Sequence, residues 1–219
     1  MRTLGRKVSA ALLAIAAALP GVAAASDNPA MHADVMHINN QWAHIRYEVT
    51  DRNQQFRQLA ALAVQAKATS ARYPGEAEPL LWQGIVVSEE AARASLINQL
   101  GLAKSARDIL QRARAIDPDV GNGGGAMSLG VLYYKVPGFP IGFGDAKKAR
   151  AMLQSALAHD PNGLDANFFY ADFLESQGDH AGAKTYLARA LRAPVDHNRP
   201  VWDAGRRAEA RTLLAKVSH

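Results

Sequence analysis

The residues best suited to chemistry in this 219-residue chain fall into a few short groups. Met31-His32 and Met36-His37 repeat a Met-His pair five residues apart, and His44 follows seven residues later. Thioether with imidazole suits copper(I), and on a helix His32 and Met36 share a face while His37 and His44 lie two turns apart. A copper site needs three or four such groups converging, so the plainer expectation is an amphipathic helix that covers the first repeat, and no metal is assigned. Gly121-Asn122-Gly123-Gly124-Gly125-Ala126 fits G-x-G-x-x-A, with Asp145 downstream. That fingerprint requires a preceding strand, whereas Arg112 to Asp117 read as a helix end. The glycines are therefore expected to form a turn. Asp165-Ala166-Asn167 opens like a calcium loop, but Phe169 takes the next ligand place and no glycine follows.

Nucleophile arrangements are equally bare. Ser128 lies outside any G-x-S-x-G elbow, and His159 and His180 have no evident partners. Glu89 and Glu90 are adjacent, so on a helix they point apart and read as solvated. The chain is therefore expected not to be an enzyme and to need no cofactor.

The elements around these residues begin with an N-terminal segment that reads as processed. Arg2, Arg6 and Lys7 precede the apolar run Val8 to Leu19, Pro20-Gly21 breaks it, and Ala23-Ala24-Ala25 offers a small-residue cleavage site. A run of twelve is too short to span a bilayer, which takes about 20 residues. Residues 1–25 are thus expected to be a cleaved signal peptide, with the mature chain starting at Ser26 and the protein periplasmic or secreted. Removing three basic residues lowers the formal charge from +5 to +2. Lys184 onward holds eight basic residues against Asp196, Asp203 and Glu209. Without interleaved aromatics this reads as the solvated face of a terminal helix rather than a nucleic-acid surface, with Arg207 and Arg211 in water. The absence of cysteine excludes disulfides, thiolate metal sites and a lipidated cysteine.

Self-similarity is the strongest signal. Ala106, Leu110, Ala113 and Pro118 have spacings that Ala149, Leu153, Ala156 and Pro161 repeat without change, and Ala183, Leu187 and Ala190 repeat them again before Pro194. Small residues let antiparallel helices approach, leucine fills the groove, and proline stops the second helix. Upstream, Leu129-Gly130-Val131-Leu132-Tyr133 has an L-G-x-x-Y arrangement, and Trp82 is read as opening the equivalent helix, with Ile85-Val86 where Leu-Gly would be. These features resemble the tetratricopeptide repeat. The resemblance implies an all-α solenoid of antiparallel helix pairs and a protein-binding role.

Helices are expected at about 29–49, 53–72, 77–95, 99–116, 124–135, 145–159, 164–177, 180–192 and 202–217. The organisation read from them is N-terminal helices over 26–74 packing on the solenoid, about three repeats over 75–194, and a C-terminal capping helix over 195–219, buried through Ala210, Leu213, Leu214 and Val217.

The second repeat carries a loop about seven residues longer than usual, Lys135 to Asp145, apolar and stiffened by Pro137 and Pro140. Phe139, Ile141 and Phe143 either pack on neighbouring repeats or form part of a partner site. Tyr133, Tyr134, Phe168, Phe169, Tyr170 and Phe173 are placed as walls of a concave groove, with Asn167, Asp172 and Lys135 as polar contacts. Tyr134, Pro137, Phe139, Phe143, Asn167 and Tyr170 are the candidate binding residues. The segment Tyr133 to Leu191, with this insertion and Asn167-Phe168-Phe169-Tyr170-Ala171-Asp172-Phe173-Leu174, also resembles the T components of tripartite substrate-binding-protein-dependent transporters. That resemblance implies a periplasmic repeat protein passing ligand to or from a binding protein. The expected function is an exported adaptor for a protein or peptide in the cell envelope; the alternative is a small-molecule-binding accessory protein of a transport system.

Overall fold

The computed structural model describes residues 28–218; the signal-peptide reading and its cleavage at Ala25 lie outside them. The described residues form nine helices: α1 (Pro29–Tyr47), α2 (Arg52–Arg72), α3 (Ala77–Arg93), α4 (Leu96–Ile116), α5 (Gly124–Lys135), α6 (Ala146–His159), α7 (Leu164–Ser176), α8 (His180–Leu191) and α9 (Pro200–Lys216). Side-chain caps fix several starts. Asn28 accepts the Met31 N–H, Asp51 that of Gln54, Asp145 those of Lys147 and Lys148, and Asp179 that of Gly182. Among the described residues no helix is long and apolar enough to cross a membrane.

Three hairpins, α3–α4, α5–α6 and α7–α8, share one seam. Ala106, Leu110 and Ala113, Ala149, Leu153 and Ala156, and Ala183, Leu187 and Ala190 are all buried. The first two leucines meet a glycine on the facing helix. A Cβ added at Gly84 would lie 2.6 Å from Leu110 Cγ, and one at Gly130 would lie 2.7 Å from Leu153 Cγ. Ala171 is buried at the equivalent place in α7. This moves the register of the first repeat: its close-approach glycine is Gly84, directly before the Ile85-Val86 pair. Leu80, four residues before Gly84, then takes the place of the repeat's tryptophan, and Trp82 faces inward instead.

The even-numbered helices form an outer layer and the odd-numbered ones an inner layer. α3 touches α5, α5 touches α7, and α7 touches α9. α1 then packs against both α3 and α9. The concave groove expected of an open solenoid is therefore closed: α1 bridges the first and last inner helices and completes a five-helix ring. Gly205 permits the closure, because a Cβ there would collide with the Tyr47 ring.

Candidate functional site

An open cavity of about 400 Å³ lies within the ring, lined from all five inner helices. All three tryptophans of the chain line it: Trp42 from α1, Trp82 from α3 and Trp202 from α9. Trp42 and Trp82 meet edge to face with centroids 5.8 Å apart. Leu81, Ile85, Met127, Val131 and Phe169 add apolar wall. The rest of the wall is polar, with Glu78, Glu89, Asp160, Asp165, Arg199 and Arg206 among its lining residues.

Beside it a ladder of alternating charges ties the ring together. Arg93 contacts Glu89 at 2.5 Å, and Arg46 contacts Glu89 at 2.7 Å and Glu209 at 2.6 Å. Arg206 continues it, 2.6 Å from Glu209 and 2.6 Å from Asp165. Arg206 is only 2% exposed and stands between Phe168 and Phe169, its guanidinium carbon 4.7 and 4.4 Å from their centroids. Trp202 donates its indole N–H to Asp165. Burial alone opposes charge on these groups. Burial disfavours the ionised Glu89, but Arg46 and Arg93 outweigh it and hold its carboxyl below the ordinary range. Burial likewise opposes the Arg206 charge, and Asp165, Tyr47 and Glu209 reverse the balance. Tyr47 is pushed up to about 12, mainly by burial.

Two sequence readings are corrected by this ladder. Glu89 is a buried partner of two arginines rather than a solvated acid. The basic C-terminal face is also not all wet: Arg206 is enclosed, and Arg207 pairs with Asp203 and donates to the carbonyls of Leu191, Ala193 and Pro194. Only Arg211 of the pair expected in water is exposed.

The candidate residues separate into two sets. Phe139 is 94% exposed and Ile141 70% exposed, while Pro137 is exposed beside them. Phe143 is half-buried, edge-on to Tyr133 at 5.9 Å with the Arg107 guanidinium 4.6 Å from its centroid. The loop closes on itself through Gly144 N–H to the Pro137 carbonyl and Asp145 N–H to that of Tyr133. Tyr134 donates its hydroxyl to Asp172 at 2.5 Å, and Lys135 reaches the same carboxylate at 2.7 Å. Asn167 and Tyr170 are placed in the core and present no groove surface. Asn167 donates to the carbonyls of Pro161 and Gly163, and Tyr170 stacks edge-on to Tyr186 at 4.7 Å. Of the expected groove walls, only Phe169 lines the cavity.

The remaining chemical groups do not assemble. Met31 is buried, His37 is exposed, and His44 contacts Glu48 at 2.6 Å, while His32 and Met36 line the cavity, so the Met-His residues do not converge on one point. Among the described residues no group of three or more His, Asp or Glu is placed to hold a metal. The glycine run follows helix α4 and spends the N–H groups of Gly123, Gly124 and Gly125 on its own turn. Asp165, the first residue of the calcium-like stretch, belongs to Arg206 and Trp202. The cavity itself was invisible to sequence reading. Its one trace was the placement of every tryptophan on helices that turn out to be inner.

Residues 141–206 match the family model of the tetratricopeptide repeat. A crystal structure of a thermophilic tetratricopeptide-repeat protein from Thermus thermophilus superposes with a TM-score of 0.57 at 17% identity, covering 84% of this chain and 99% of that one. The fold is a tetratricopeptide-repeat-like solenoid. No curated protein sequence matches the chain. The repeat fold suggests a protein-interaction scaffold, and here its concave surface is occupied by α1.

Proposed function

We propose that this chain is an exported, non-enzymatic repeat scaffold that engages a protein partner in the cell envelope through its loop-bearing edge. One observation carries the reading: large apolar side chains stand in water where the repeat loops cluster. Phe139 and Ile141 project from the loop, and Leu96 and Ile97, 87% and 89% exposed, begin α4. Leu100, one turn further along α4, approaches Gly142 of the loop, which brings the two groups to one edge. Exposed apolar clusters of this kind mark interaction surfaces. With α1 seated in the concave groove, this edge is the better docking surface for a macromolecule.

Site-specific photo-crosslinking in the source cells tests it. A crosslinker at position 139 should capture one envelope protein that Ile141→Asp abolishes and that a crosslinker at exposed Val64 on α2 does not capture. Equal capture from both positions would remove the loop's role. N-terminal sequencing of the protein from the envelope fraction should begin at Ser26; an intact Met1 terminus would contradict export.

A second reading is favoured by the cavity within the ring. A volume of about 400 Å³ lies within the roughly 300–1,000 Å³ of small-molecule sites. On this reading the ring holds a small molecule as an accessory protein of a transport system, in keeping with the resemblance to T components.

A further inference from the structure

Charge around the cavity does not cancel. Glu89, Asp165 and Arg206 belong to the ladder, in which Arg46, Arg93 and Arg206 balance Glu89, Glu209 and Asp165. Arg199, stacked on the Trp202 ring, faces Asp196 at 3.9 Å and stands in the field of Asp165. Two carboxylates of the wall are left over, Glu78 and Asp160. Among the described residues neither is paired with a lysine or arginine: Glu78 has the His32 imidazole 3.8 Å away, and Asp160 accepts the Gly163 N–H. Burial and the neighbouring Asp165 raise the Asp160 carboxyl above its ordinary value, as befits negative charge short of a counter-ion. A further acceptor is buried and idle. Asn39 is only 2% exposed and lines the cavity, yet its Oδ1 receives no hydrogen bond, a cost that a donor would relieve. These groups share one end of the wall. Helix α1 meets α3 at His32 with Glu78 and again at Trp42 with Trp82, and Asn39 lies between those contacts. Glu78 and Trp82 are one turn apart on one face of α3. Asp160 stands just ahead of α7, at the end where the inner helices begin.

Resting on the small-molecule reading of the cavity, we infer that its ligand is an organic cation, an ammonium group on an aromatic or apolar body, with the cation held among Glu78, Asp160 and Asn39 and the body against Trp82 and Phe169. An ammonium supplies the counter-charge that the two carboxylates lack and donates to acceptors only, which is what this end of the wall presents. Aromatic faces beside the carboxylates add to the attraction for a cation. The half-buried side chains of Trp82, Met127, Val131 and Phe169 offer the body apolar contact. Trp42 Nε1 is an unpaired donor on the same wall and suits a neutral acceptor on that body. Glu78 and Asp160 act here as binding residues, and no covalent step is involved.

Two probes with one aromatic body separate the charge inference from the cavity reading. These are naphthylmethylammonium and its uncharged counterpart naphthylmethanol, titrated calorimetrically at neutral pH into the protein carrying Phe139→Ser/Ile141→Ser so that the exposed loop takes up no probe. Both should bind at one site that Val131→Trp fills and blocks. The ammonium should bind about tenfold or more tightly than the alcohol. Glu78→Gln should remove part of that preference, and Glu78→Gln/Asp160→Asn should abolish it while leaving the alcohol's Kd within about twofold. Both substitutions keep an acceptor oxygen, so the Gly163 N–H retains its partner, and each variant should keep the helical circular-dichroism spectrum and thermal midpoint of the parent. An ammonium preference that is absent, or that survives the double substitution, overturns the cation inference while leaving the cavity standing. Binding of neither probe at millimolar concentration, or binding of both unaffected by Val131→Trp, overturns the cavity reading itself.

Discussion

The seam between paired helices and the axis of the ring are built on different rules. The seam uses one device three times, a leucine between two alanines, twice seated against a glycine, and its contacts join helices adjacent in sequence. The axis is assembled once, from five helices, with buried charges and tryptophans that the seam lacks. Arg46 and Glu209, which meet across it, are 163 residues apart. A repeat can be copied, but closing the ring requires that its first and last members fit each other. The seam therefore specifies the fold, while the axis specifies this particular molecule.

The largest expected effect tests whether the axis is as structural as the seam. Arg206→Ala removes a buried cation and strands Asp165 and Glu209, a loss of about 3–5 kcal/mol for a broken buried pair, to be measured by urea unfolding. A loss near zero would reduce the ladder to decoration. On the seam, Leu153→Ala should cost about 2–5 kcal/mol through the cavity it leaves, by the same measurement. The loop should divide internally. Phe143→Ala gives up its edge contact with Tyr133 for about 1–2 kcal/mol, whereas Phe139→Ala at an exposed position should stay within about 0.5 kcal/mol. Equal costs for the two would mean that the loop packs as one body.

pH sharpens the contrast, since the alanines and leucines of the seam do not ionise. Glu89 has a lowered carboxyl pKa from Arg46 and Arg93 acting against burial. Its contribution is fully present above the ordinary carboxylate range and is lost as pH falls through the lower folded value. Tyr47, raised by burial from 10 to about 12, contributes stability that is complete below pH 10 and lost as pH climbs through about 12. Thermal midpoints across pH should fall at both ends, and Glu89→Gln should flatten the acid limb.

What was legible in the sequence follows the same division. Helix positions and the alanine-leucine seam are local or periodic, and they were read correctly to within a few residues. The loop was half legible, because alternating Phe, Ile and Phe does not reveal which ring meets Tyr133. Glu89, Arg206 and Arg207 looked like solvated charges because their partners are distant in sequence. Trp82 was taken for the repeat's own tryptophan because a degenerate pattern hides a two-residue shift, which only the packing of Gly84 on Leu110 exposes. Asn167 looked like a groove contact, yet its amide closes the turn at Pro161 and Gly163.

Closure of the solenoid by α1 against α9 can be tested with one pair of cysteines because the chain contains none. A Cβ at residue 205 falls on the Tyr47 ring, one bond from that residue's own Cβ, which is within disulfide reach. The closed ring predicts that Tyr47→Cys/Gly205→Cys forms an intramolecular disulfide nearly to completion under mild oxidation, seen as a mobility shift reversed by reductant. A folded, helical double variant that keeps two free thiols under those conditions would mean an open groove and would contradict the ring.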